Sequence, residues 1–331
     1  MISVIIPLHN NEMTISRLFK SIIGQTYKNY EIIFIDDGSI DHTVTILEKL
    51  IKNKKRFFIF KQRNMGPFIA RKLGIKKSRG NYLTFVDGDD WLASDYLKVL
   101  YQNLLYFDAD ISVVENYLAF NSNNKVVVPK KNQITRLFSK DKIILAWISG
   151  KQLKGFLHSK LIKRSLLTDL DFEFNSNYME DEAMLTHIIP NVNKIVYSSK
   201  PCYYYLQRST SITHSGVNSS TWEGLFNSML LLKQLIQNDQ ECAAWELRYV
   251  GEVRNVLEHM NRNDFVKYKP QIQRANSRMK TFEKRRLKKN MNWLDRCIFD
   301  LECHNFFPYL ALRFRSILSS LKYYAMADCK K

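Results

Sequence analysis

Cysteine is scarce in this sequence, and its spacing excludes common metal and redox motifs. The 331 residues contain five cysteines at irregular intervals, and no two of them form a Cys-x-x-Cys pair. Zinc ribbons and thioredoxin-like sites need such pairs. Cys303 and His304 are adjacent but isolated, which is more typical of packing than of metal binding. Cysteines used in this way fit a reducing compartment.

Long apolar runs are absent as well. The sequence has no stretch of about 18 uncharged apolar residues, so it predicts no membrane-spanning helix. Its first residues lack the basic segment of a signal peptide, and Pro7 interrupts their apolar run. We therefore interpret Ile2 to Pro7 as a first strand and expect the protein to be cytoplasmic.

The glycine-rich loops that bind phosphates in many proteins are missing too. Neither Gly-x-Gly-x-x-Gly nor Gly-x-x-x-x-Gly-Lys-Ser/Thr occurs. A phosphate group bound by this protein would therefore need a metal ion and cations such as Arg71 to balance its charge. Taken alone, Arg71 is more typical of an ordinary helix surface.

Positive charge is present in excess and is unevenly distributed. The formal net charge is +18, and residues 260–331 carry 17 lysines and arginines against 6 acidic residues. A basic tail of this kind suggests a polyanion or an anionic membrane surface as partner. We expect no nucleic acid, because no nucleic-acid-binding motif accompanies the charge.

Strands and helices alternate regularly through the first 90 residues. Short apolar runs predict strands at 2–7, 30–35, 57–60 and 82–86, and apolar residues at helical spacing predict helices at 12–24, 41–51 and 67–77. The connections between them are short. This pattern indicates an α/β fold with a parallel, nucleotide-binding type of sheet and helices on both faces.

The remainder of the chain is less regular. We predict helices at 94–107, 141–148 and 178–188, a hairpin of strands at 111–120 and 126–128, and short strands at 194–197 and 202–206. From Trp222 onward the pattern is mostly helical, without strand signals. We therefore divide the chain into a domain at 1–215 and a basic helical region at 216–331.

Polar residues follow three of the predicted strands where each strand ends. The first strand is followed by His9 and Asn10, the second ends in Asp36 and Asp37, and the fourth is followed by Asp87, Asp89 and Asp90. The carboxyl ends of parallel strands meet at one edge of a sheet, so these side chains should line one crevice. Clustered carboxylates suit Mg²⁺ or Mn²⁺ beside a bound phosphate. Each cluster taken alone is equally consistent with a turn or a helix cap.

Seven segments, in chain order, resemble family 2 of the glycosyltransferases. They read Ser-Val-Ile-Ile-Pro-Leu-His-Asn, Ile-Asp-Asp-Gly-Ser-Ile-Asp, Met-Gly-Pro-Phe-Ile-Ala-Arg, Asp-Gly-Asp-Asp-Trp, Ser-Lys-Leu-Ile-Lys-Arg, Met-Glu-Asp-Glu and Tyr-Tyr-Tyr-Leu-Gln-Arg-Ser-Thr-Ser-Ile-Thr. The resemblance implies a GT-A fold over roughly residues 1–215. It also implies a metal-dependent, inverting transfer of a hexose or N-acetylhexosamine from a UDP-sugar to a saccharide or lipid-linked acceptor, as in bacterial surface polysaccharide synthesis.

The resemblance further implies roles for single residues. Asp181 would be the general base, and Asp87 and Asp89 would form a DxD motif that holds Mn²⁺ or Mg²⁺. Residues expected at the sugar donor are Pro7, His9, Asn10, Asp36, Asp37, Arg71, Asp87, Gly88, Asp89 and Asp90, and residues expected at the acceptor or a nearby loop are Glu180, Lys160, Arg208 and Ser211. His9 and Lys72 depart from the family pattern, which has Tyr and Asn at these places.

Alternative interpretations remain open at this point. A nucleotidyltransferase would also use acidic metal ligands, but it is expected to carry a glycine- and lysine-rich loop after the first strand. A non-catalytic nucleotide-sugar or polyanion binder would explain the charge. Apolar residues at helical spacing from Phe307 to Tyr324, flanked by cations, fit either a helix lying on the inner face of the cell membrane or a helix packed on its neighbours. The sequence leaves the oligomeric state open.

Overall fold

Four parallel strands form the part of the sheet that the alternating pattern predicts. In a computed structural model, which describes residues 1–120, 125–127, 133–168, 172–207 and 216–282, the strands are β1 (Ile2–Leu8), β2 (Tyr30–Asp37), β3 (Phe57–Gln62) and β4 (Tyr82–Phe85). They lie in the order β3-β2-β1-β4 and pair in parallel throughout. The carboxyl ends of β1, β2 and β4 therefore meet at one edge, as predicted.

Helices cover both faces of this part of the sheet. They are α1 (Ile15–Ile23), α2 (Thr43–Ile51), α3 (Pro67–Lys77) and α4 (Tyr96–Tyr106). Side chains alternate along a strand, so Val4 and Ile6 belong to the core cluster that contains residues of α1, α2 and α4. Ile33 and Ile35 point the other way and pack against Ala70 of α3. The predicted helices on both faces are confirmed.

Helix α1 begins later than predicted. The sequence predicts the helix from residue 12, with Asn10 or Asn11 in position to cap it, but Thr14 is the residue before its first turn. Asn11 is occupied otherwise, since its side-chain oxygen accepts the backbone N–H of His9 over 2.9 Å. The asparagines therefore shape the loop after β1 rather than the helix.

Beyond β4 the sheet is mixed. Its further strands are β5 (Trp91–Leu92), β6 (Ile111–Phe120), β7 (Lys125–Val127), β8 (Thr135–Ser139), β9 (Lys160–Lys163) and β10 (Lys194–Gln207). Strand β9 lies antiparallel between β4 and β6, and β10 runs parallel to β6. We did not predict β5, β8 or β9, because strands of two to five residues carry too few apolar positions to show a period.

The two short strands predicted at 194–197 and 202–206 are one strand. Strand β10 is continuous, with register shifts between Ser198 and Pro201 and between Pro201 and Tyr203. Proline has no N–H for the ladder and is accommodated at such irregularities. Pro201 therefore lies at an irregularity within one continuous strand.

The chain divides into two compact units, Met1–Ser211 and Ile212–Lys331. The first also contains α5 (Lys140–Ser149) and α6 (Glu180–Ile188), and the second contains α7 (Ser219–Gln234), α8 (Asp239–Glu258), α9 (Arg262–Lys267) and α10 (Lys269–Lys280). The predicted boundary at residue 215 stays a prediction. Among the helices within the described ranges, none is both long and apolar enough to cross a bilayer. The stripe from Phe307 to Tyr324 lies outside the described residues.

A pair of helix glycines tests the packing of α3 on β1. A Cβ at Gly74 would meet Ile5 Cγ2 at 2.3 Å, whereas a Cβ at Gly251 in α8 would meet nothing within 4 Å. We expect Gly74→Ala to lower the free energy of unfolding by about 1–3 kcal/mol through overpacking. Gly251→Ala should raise it by about 0.5–1 kcal/mol through helix propensity. Urea denaturation followed by circular dichroism measures both, and a Gly74→Ala variant as stable as wild type would contradict the packing.

Candidate active site

The loops after β1 and β2 are joined into one wall of a crevice. His9 donates its Nδ1–H to the carbonyl oxygen of Asp37 over 2.9 Å. The backbone N–H of Asn10 donates to Ser39 Oγ over 3.1 Å, and the backbone N–H of Ile40 donates to Asn10 Oδ1 over 2.9 Å. Asn10 has a φ of +54°, a left-handed conformation that asparagine tolerates well. His9 and Asn10 are exposed at this edge, where the sequence predicted them.

Asp36 and Asp37, which end β2, are both buried. The carboxylate of Asp37 accepts hydrogen bonds from Gln62 Nε2 at 2.7 Å and from the backbone N–H groups of Met65 and Gly66 at 2.8 Å each. Asp36 Oδ1 accepts the backbone N–H three residues later at 3.2 Å. Asp37 therefore fastens the connection into α3. The predicted contact of either acid with a base or ribose stays a prediction.

The acid loop after β4 is anchored to the start of α1. Thr14 Oγ1 donates to the carbonyl oxygen of Gly88, and Arg17 Nη2 donates to that of Asp89, each over 2.9 Å. A Cβ at Gly88 would lie 2.6 Å from Asn11 Oδ1, closer than real Cβ atoms approach an oxygen. A side chain at position 88 would have to displace the Asn11 amide, so packing against the first loop favours glycine there.

Arg71 of α3 lies at the centre of the crevice and contacts three carboxylates. Its guanidinium donates from Nη2 to Asp87 Oδ1 over 2.9 Å and from Nη1 to Glu180 Oε1 over 3.0 Å. Asp181 Oδ1 lies 2.8 Å from Nη1. The Arg71 side chain is only 5% exposed. A single buried cation therefore links the acids of the β4 loop to the acids that begin α6.

The surroundings shift the pKa values of Asp87 and Glu180 in opposite directions. Burial favours the neutral form of Asp87, but His158 and the charge of Arg71 outweigh it and hold the pKa of Asp87 well below its usual range. Burial and the neighbouring Asp181 raise the pKa of Glu180 to about 7, against the opposing effect of Arg71. Asp87 is thus ionised at neutral pH, whereas Glu180 exchanges a proton there.

Asp181 and Lys160 hold the same peptide group. Asp181 Oδ2 accepts the backbone N–H of Leu157 over 3.0 Å, and Lys160 Nζ donates to the carbonyl oxygen of Phe156. Lys160 is buried, and that burial lowers its pKa to about 7 although Asp181 opposes the shift. The sequence placed Lys160 at an acceptor or loop position. In the structure it binds the same peptide group as the predicted base, Asp181, and so helps to position that base.

Asp90 does not lie where the sequence predicted it. Its carboxyl group is fully buried, with Oδ2 accepting from Tyr203 Oη at 2.6 Å and Oδ1 accepting from the backbone N–H of Leu206 at 2.8 Å. Burial and the nearby Asp89 and Asp87 raise its pKa well above the usual range. Because Asp90 is fully buried and both of its oxygens accept hydrogen bonds from β10, the geometry does not support the expected contact of Asp90 with the donor sugar.

His158 is a buried neighbour of Asp87 that sequence reasoning missed. Its Nδ1 lies 3.4 Å from Asp87 Oδ2, and Asn116 Nδ2 lies 3.0 Å from its Nε2. The only signal was its place next to the Ser-Lys-Leu segment of the family pattern. Ligand atoms of Asp87, Asp90 and His158 lie within 4.8 Å of one another, a spacing that suits a metal ion.

The acid loop fits a hard divalent cation. Asp87 is ionised and partly exposed, and Asp89 offers a second half-buried carboxylate on the same loop. Oxygen donors of this kind are what Mn²⁺ and Mg²⁺ prefer. Asp90 fits less well, since it is hydrogen-bonded through both oxygens and its raised pKa favours the neutral form. Asp87 is therefore the carboxylate of the described residues best suited to an ion, and Asp89 as its second ligand stays a prediction.

Three predicted site residues remain. Pro7 lies inside β1 opposite Ile35 and is half-buried. Arg208 and Ser211 lie outside the described residues.

Comparison with known sequences identifies a single group of enzymes. Residues 3–170 match the family model described as glycosyl transferase family 2. The chain is 31% identical over 219 residues to glycosyltransferase GlyA of Streptococcus pneumoniae, covering 64% of this chain and 31% of GlyA. It is 31% identical over 224 residues to the cholesterol galactosyltransferase of Borreliella burgdorferi, covering 65% and 62%. The chain thus spans about a third of GlyA and less than two thirds of the second relative.

A comparison with solved structures agrees on the fold. The crystal structure of S. aureus TarS residues 1–349 in complex with UDP-GlcNAc matches with a TM-score of 0.69, over 97% of this chain and 92% of that one. The identity is 20%, so the likeness concerns the fold alone. The same TarS segment is also known in complex with UDP.

A substitution at Arg71 tests whether the guanidinium holds the three acids together. Arg71→Met would leave Asp87, Glu180 and Asp181 facing one another without a cation, and we expect a loss of about 3–5 kcal/mol in the free energy of unfolding at pH 7. Part of this loss should be recovered at pH 5, where carboxyl groups take up protons. Lys72→Met, one residue away with a 3.4 Å contact to the Phe172 carbonyl, is the control. Equal stability of the two variants would contradict the assignment.

The buried lysine predicts a dependence of stability on pH. The pKa of Lys160 is about 7 in the folded protein, against the 10.5 of an ordinary lysine side chain. Between these values the unfolded chain binds more protons, so the folding stability that Lys160 contributes rises with pH. Between pH 7 and 9 the wild type should gain about 1 kcal/mol per pH unit relative to Lys160→Met. Urea denaturation at several pH values measures the difference.

The control for this effect is Lys163→Met, on the same strand. Lys163 forms an ion pair with Asp110 that raises its pKa, so its removal should leave the pH dependence between pH 7 and 9 as in wild type. Parallel curves for wild type and Lys160→Met would show that Lys160 stays charged in the folded protein.

Proposed function

This chain belongs to glycosyl transferase family 2 and is a glycosyltransferase of the GT-A fold, and we propose that it moves a hexose or N-acetylhexosamine from a UDP-sugar to a hydroxyl group of a saccharide or lipid-linked acceptor. In this proposal the configuration at the anomeric carbon inverts. Asp87 and Asp89 hold Mn²⁺ or Mg²⁺, and Asp181 takes the proton of the acceptor hydroxyl.

The observation that carries the proposal is the shared contact of Arg71 with Asp87 and Asp181. These acids come from two distant parts of the chain, yet each lies within 3 Å of the same guanidinium, at 2.9 Å and 2.8 Å. An inverting displacement needs the leaving group and the proton acceptor on opposite sides of one reacting carbon. The contacts with Arg71 bring the β4 loop and the start of α6 together at one site, as the proposed displacement requires.

The residues around Asp181 favour its role as general base. The N–H of Leu157 and the guanidinium of Arg71 fix its two oxygens, so the carboxylate is oriented before the acceptor arrives. A hydroxyl group is a weak nucleophile, and removal of its proton by a positioned carboxylate is typically worth ~10²–10⁴ in rate. When bound, Mn²⁺ or Mg²⁺ supplies Lewis acidity that stabilises the charge on the departing diphosphate.

The choice of a UDP-sugar is supported by the structural relative. TarS, which has the same fold, is known with UDP-GlcNAc and with UDP. In this chain the wall formed by His9, Asn10 and Asp36 offers an exposed imidazole and amide with carboxylate oxygens behind them. Such groups suit a base and a ribose.

The class of acceptor and the cellular location are proposed from the name of one relative and from the charge of the chain. The Borreliella burgdorferi relative is named cholesterol galactosyltransferase, which supports a lipid-linked acceptor as one form of the proposal. The basic surplus of residues 260–331 would suit a peripheral site on the inner face of the cell membrane. Flotation with anionic liposomes, with and without residues 307–331, checks this location. Failure of the full chain to float would refute it.

The assignment of the base is tested by two neighbouring substitutions. Asp181→Asn should fold and bind nucleotide, because the amide oxygen still accepts the Leu157 N–H, but transfer should fall by about 10²–10⁴. Glu180→Gln removes a carboxylate from the same guanidinium and should keep most of the activity. A panel of UDP- and GDP-sugars with Mn²⁺ or Mg²⁺, screened by thermal shift, selects the donor for these assays. Full turnover by Asp181→Asn would exclude Asp181 as the base.

Asp89→Asn separates donor binding from proton transfer in the same assays. This variant should weaken binding of the selected nucleotide sugar in the presence of metal, measured by calorimetry, and should leave binding without metal unchanged. Unaltered affinity with metal present would argue against Asp89 as a ligand. The Asp181 variant thus tests proton transfer, and the Asp89 variant tests metal-dependent donor binding.

A further inference from the structure

Phe156 is an exposed aromatic residue beside the predicted general base. It is 39% exposed, whereas the next two residues, Leu157 and His158, are 0% and 3% exposed. The N–H of the adjoining Leu157 is the group that Asp181 binds at 3.0 Å. The exposed ring therefore belongs to the residue that shares this Asp181-binding peptide group with Leu157.

The ring of Phe156 is held in a fixed plane. It stacks on the imidazole of His158 with a centroid distance of 4.9 Å and an interplanar angle of 10°. His158 in turn stacks on the fully buried Tyr203 at 4.7 Å and 13°. Phe156 is thus the outermost member of a row of three nearly parallel rings. Its inner face is covered by His158, whose Nδ1 lies 3.4 Å from Asp87 Oδ2, so the ring is one residue removed from the acids of the crevice.

The backbone beneath this ring is equally constrained. Asp181 accepts the N–H and Lys160 donates to the C=O of the single peptide group that joins Phe156 to Leu157. The side chains of Asp181 and of the buried Lys160 therefore fix the position of Phe156 relative to Asp181. A group resting on the ring would be held at a constant distance from the carboxylate.

Polar groups lie near the lysine that anchors this residue. Lys160, which binds the Phe156 carbonyl, is close enough to Lys154 and Glu115 for their charges to act on it. Lys154 Nζ lies 3.8 Å from Glu115 Oε2, and Tyr197 Oη donates to Glu115 Oε1 over 2.6 Å. An exposed aromatic ring on a backbone anchored among such polar groups matches a ligand that is apolar on one face and rich in hydroxyls at its rim. A pyranose ring has this character, whereas a lipid chain would need a wider apolar surface.

From this geometry we propose that Phe156 is the platform on which a sugar ring of the acceptor stacks, so that the acceptor of the transfer is a saccharide. The C–H face of the pyranose lies on the benzene ring, and a hydroxyl at the edge of the sugar is presented to Asp181. The proposal rests on the proposed function and adds to it the class of acceptor and the residue that selects it.

The test uses the full chain with a panel of p-nitrophenyl hexopyranosides as acceptor probes. Binding is measured by saturation-transfer NMR and transfer by release of UDP from the UDP-sugar chosen by thermal shift. Phe156→Ala should raise the KM for the glycoside about tenfold, while the KM for the UDP-sugar and its slow hydrolysis stay unchanged. Phe156→Trp should stay within about threefold of wild type, because the aromatic face is kept.

Two controls separate stacking from other effects. Phe156→Leu keeps an apolar side chain without an aromatic face and should behave like Phe156→Ala. Tyr106→Ala removes an aromatic side chain that is 85% exposed elsewhere on the surface and should behave like wild type. Wild-type KM for the glycoside in Phe156→Leu would indicate a lipid chain instead and overturn the proposal.

The remaining outcomes are equally decisive. An unchanged glycoside KM in Phe156→Ala, with active enzyme, would overturn the platform and leave the proposed function standing. A wild-type protein that binds none of the glycosides would overturn the saccharide acceptor. A wild-type protein that neither hydrolyses nor transfers from any nucleotide sugar would overturn the proposed function and the platform with it.

Discussion

Arg71 carries one positive charge against three carboxylates, and the rest of the crevice is arranged around that imbalance. The guanidinium helps to keep the pKa of Asp87 low, so Asp87 stays ionised. Glu180 lies equally close but has a pKa near neutrality. Asp90, behind them, is buried and has a raised pKa. The site thus limits its own negative charge by protonation. An arriving divalent ion or diphosphate changes this balance, so substrate binding and the protonation of Glu180 are coupled.

Several residues that carry the family pattern serve the scaffold as well as the chemistry. Asp37 fixes the entry to α3, Gly88 permits the contact with the first loop, and Asn10 joins two loops through its side chain and backbone. The residues expected to touch a substrate are therefore also those that hold the crevice open. This double use explains why each motif, taken alone, is equally consistent with a turn or a cap. Family membership removes the alternative of a nucleotidyltransferase.

The parallel half of the sheet could be predicted because its strands and helices are long enough to show a period. Helix α3 has the predicted ends, Pro67 and Lys77, since a glycine and a proline mark its start. Strand β9 could not be predicted, because Lys160–Lys163 holds only two apolar residues. His158 approaches Asp87 across 71 positions of the chain, and no local pattern encodes such a contact. Asp90 was misplaced because adjacent acids look equivalent in a sequence but point to different surroundings.

The peptide group between Phe156 and Leu157 has a consequence for redesign. Its N–H is bound by Asp181 and its C=O by Lys160, so these backbone contacts do not depend on the side chain at position 156. Substituting the aromatic ring changes the surface offered to a ligand without moving the carboxylate that lies beside it. The side chain at position 156 can therefore be exchanged while the backbone contacts of the loop stay in place. Libraries confined to this position and its neighbour Lys154 would explore new specificities while the reacting groups stay in place.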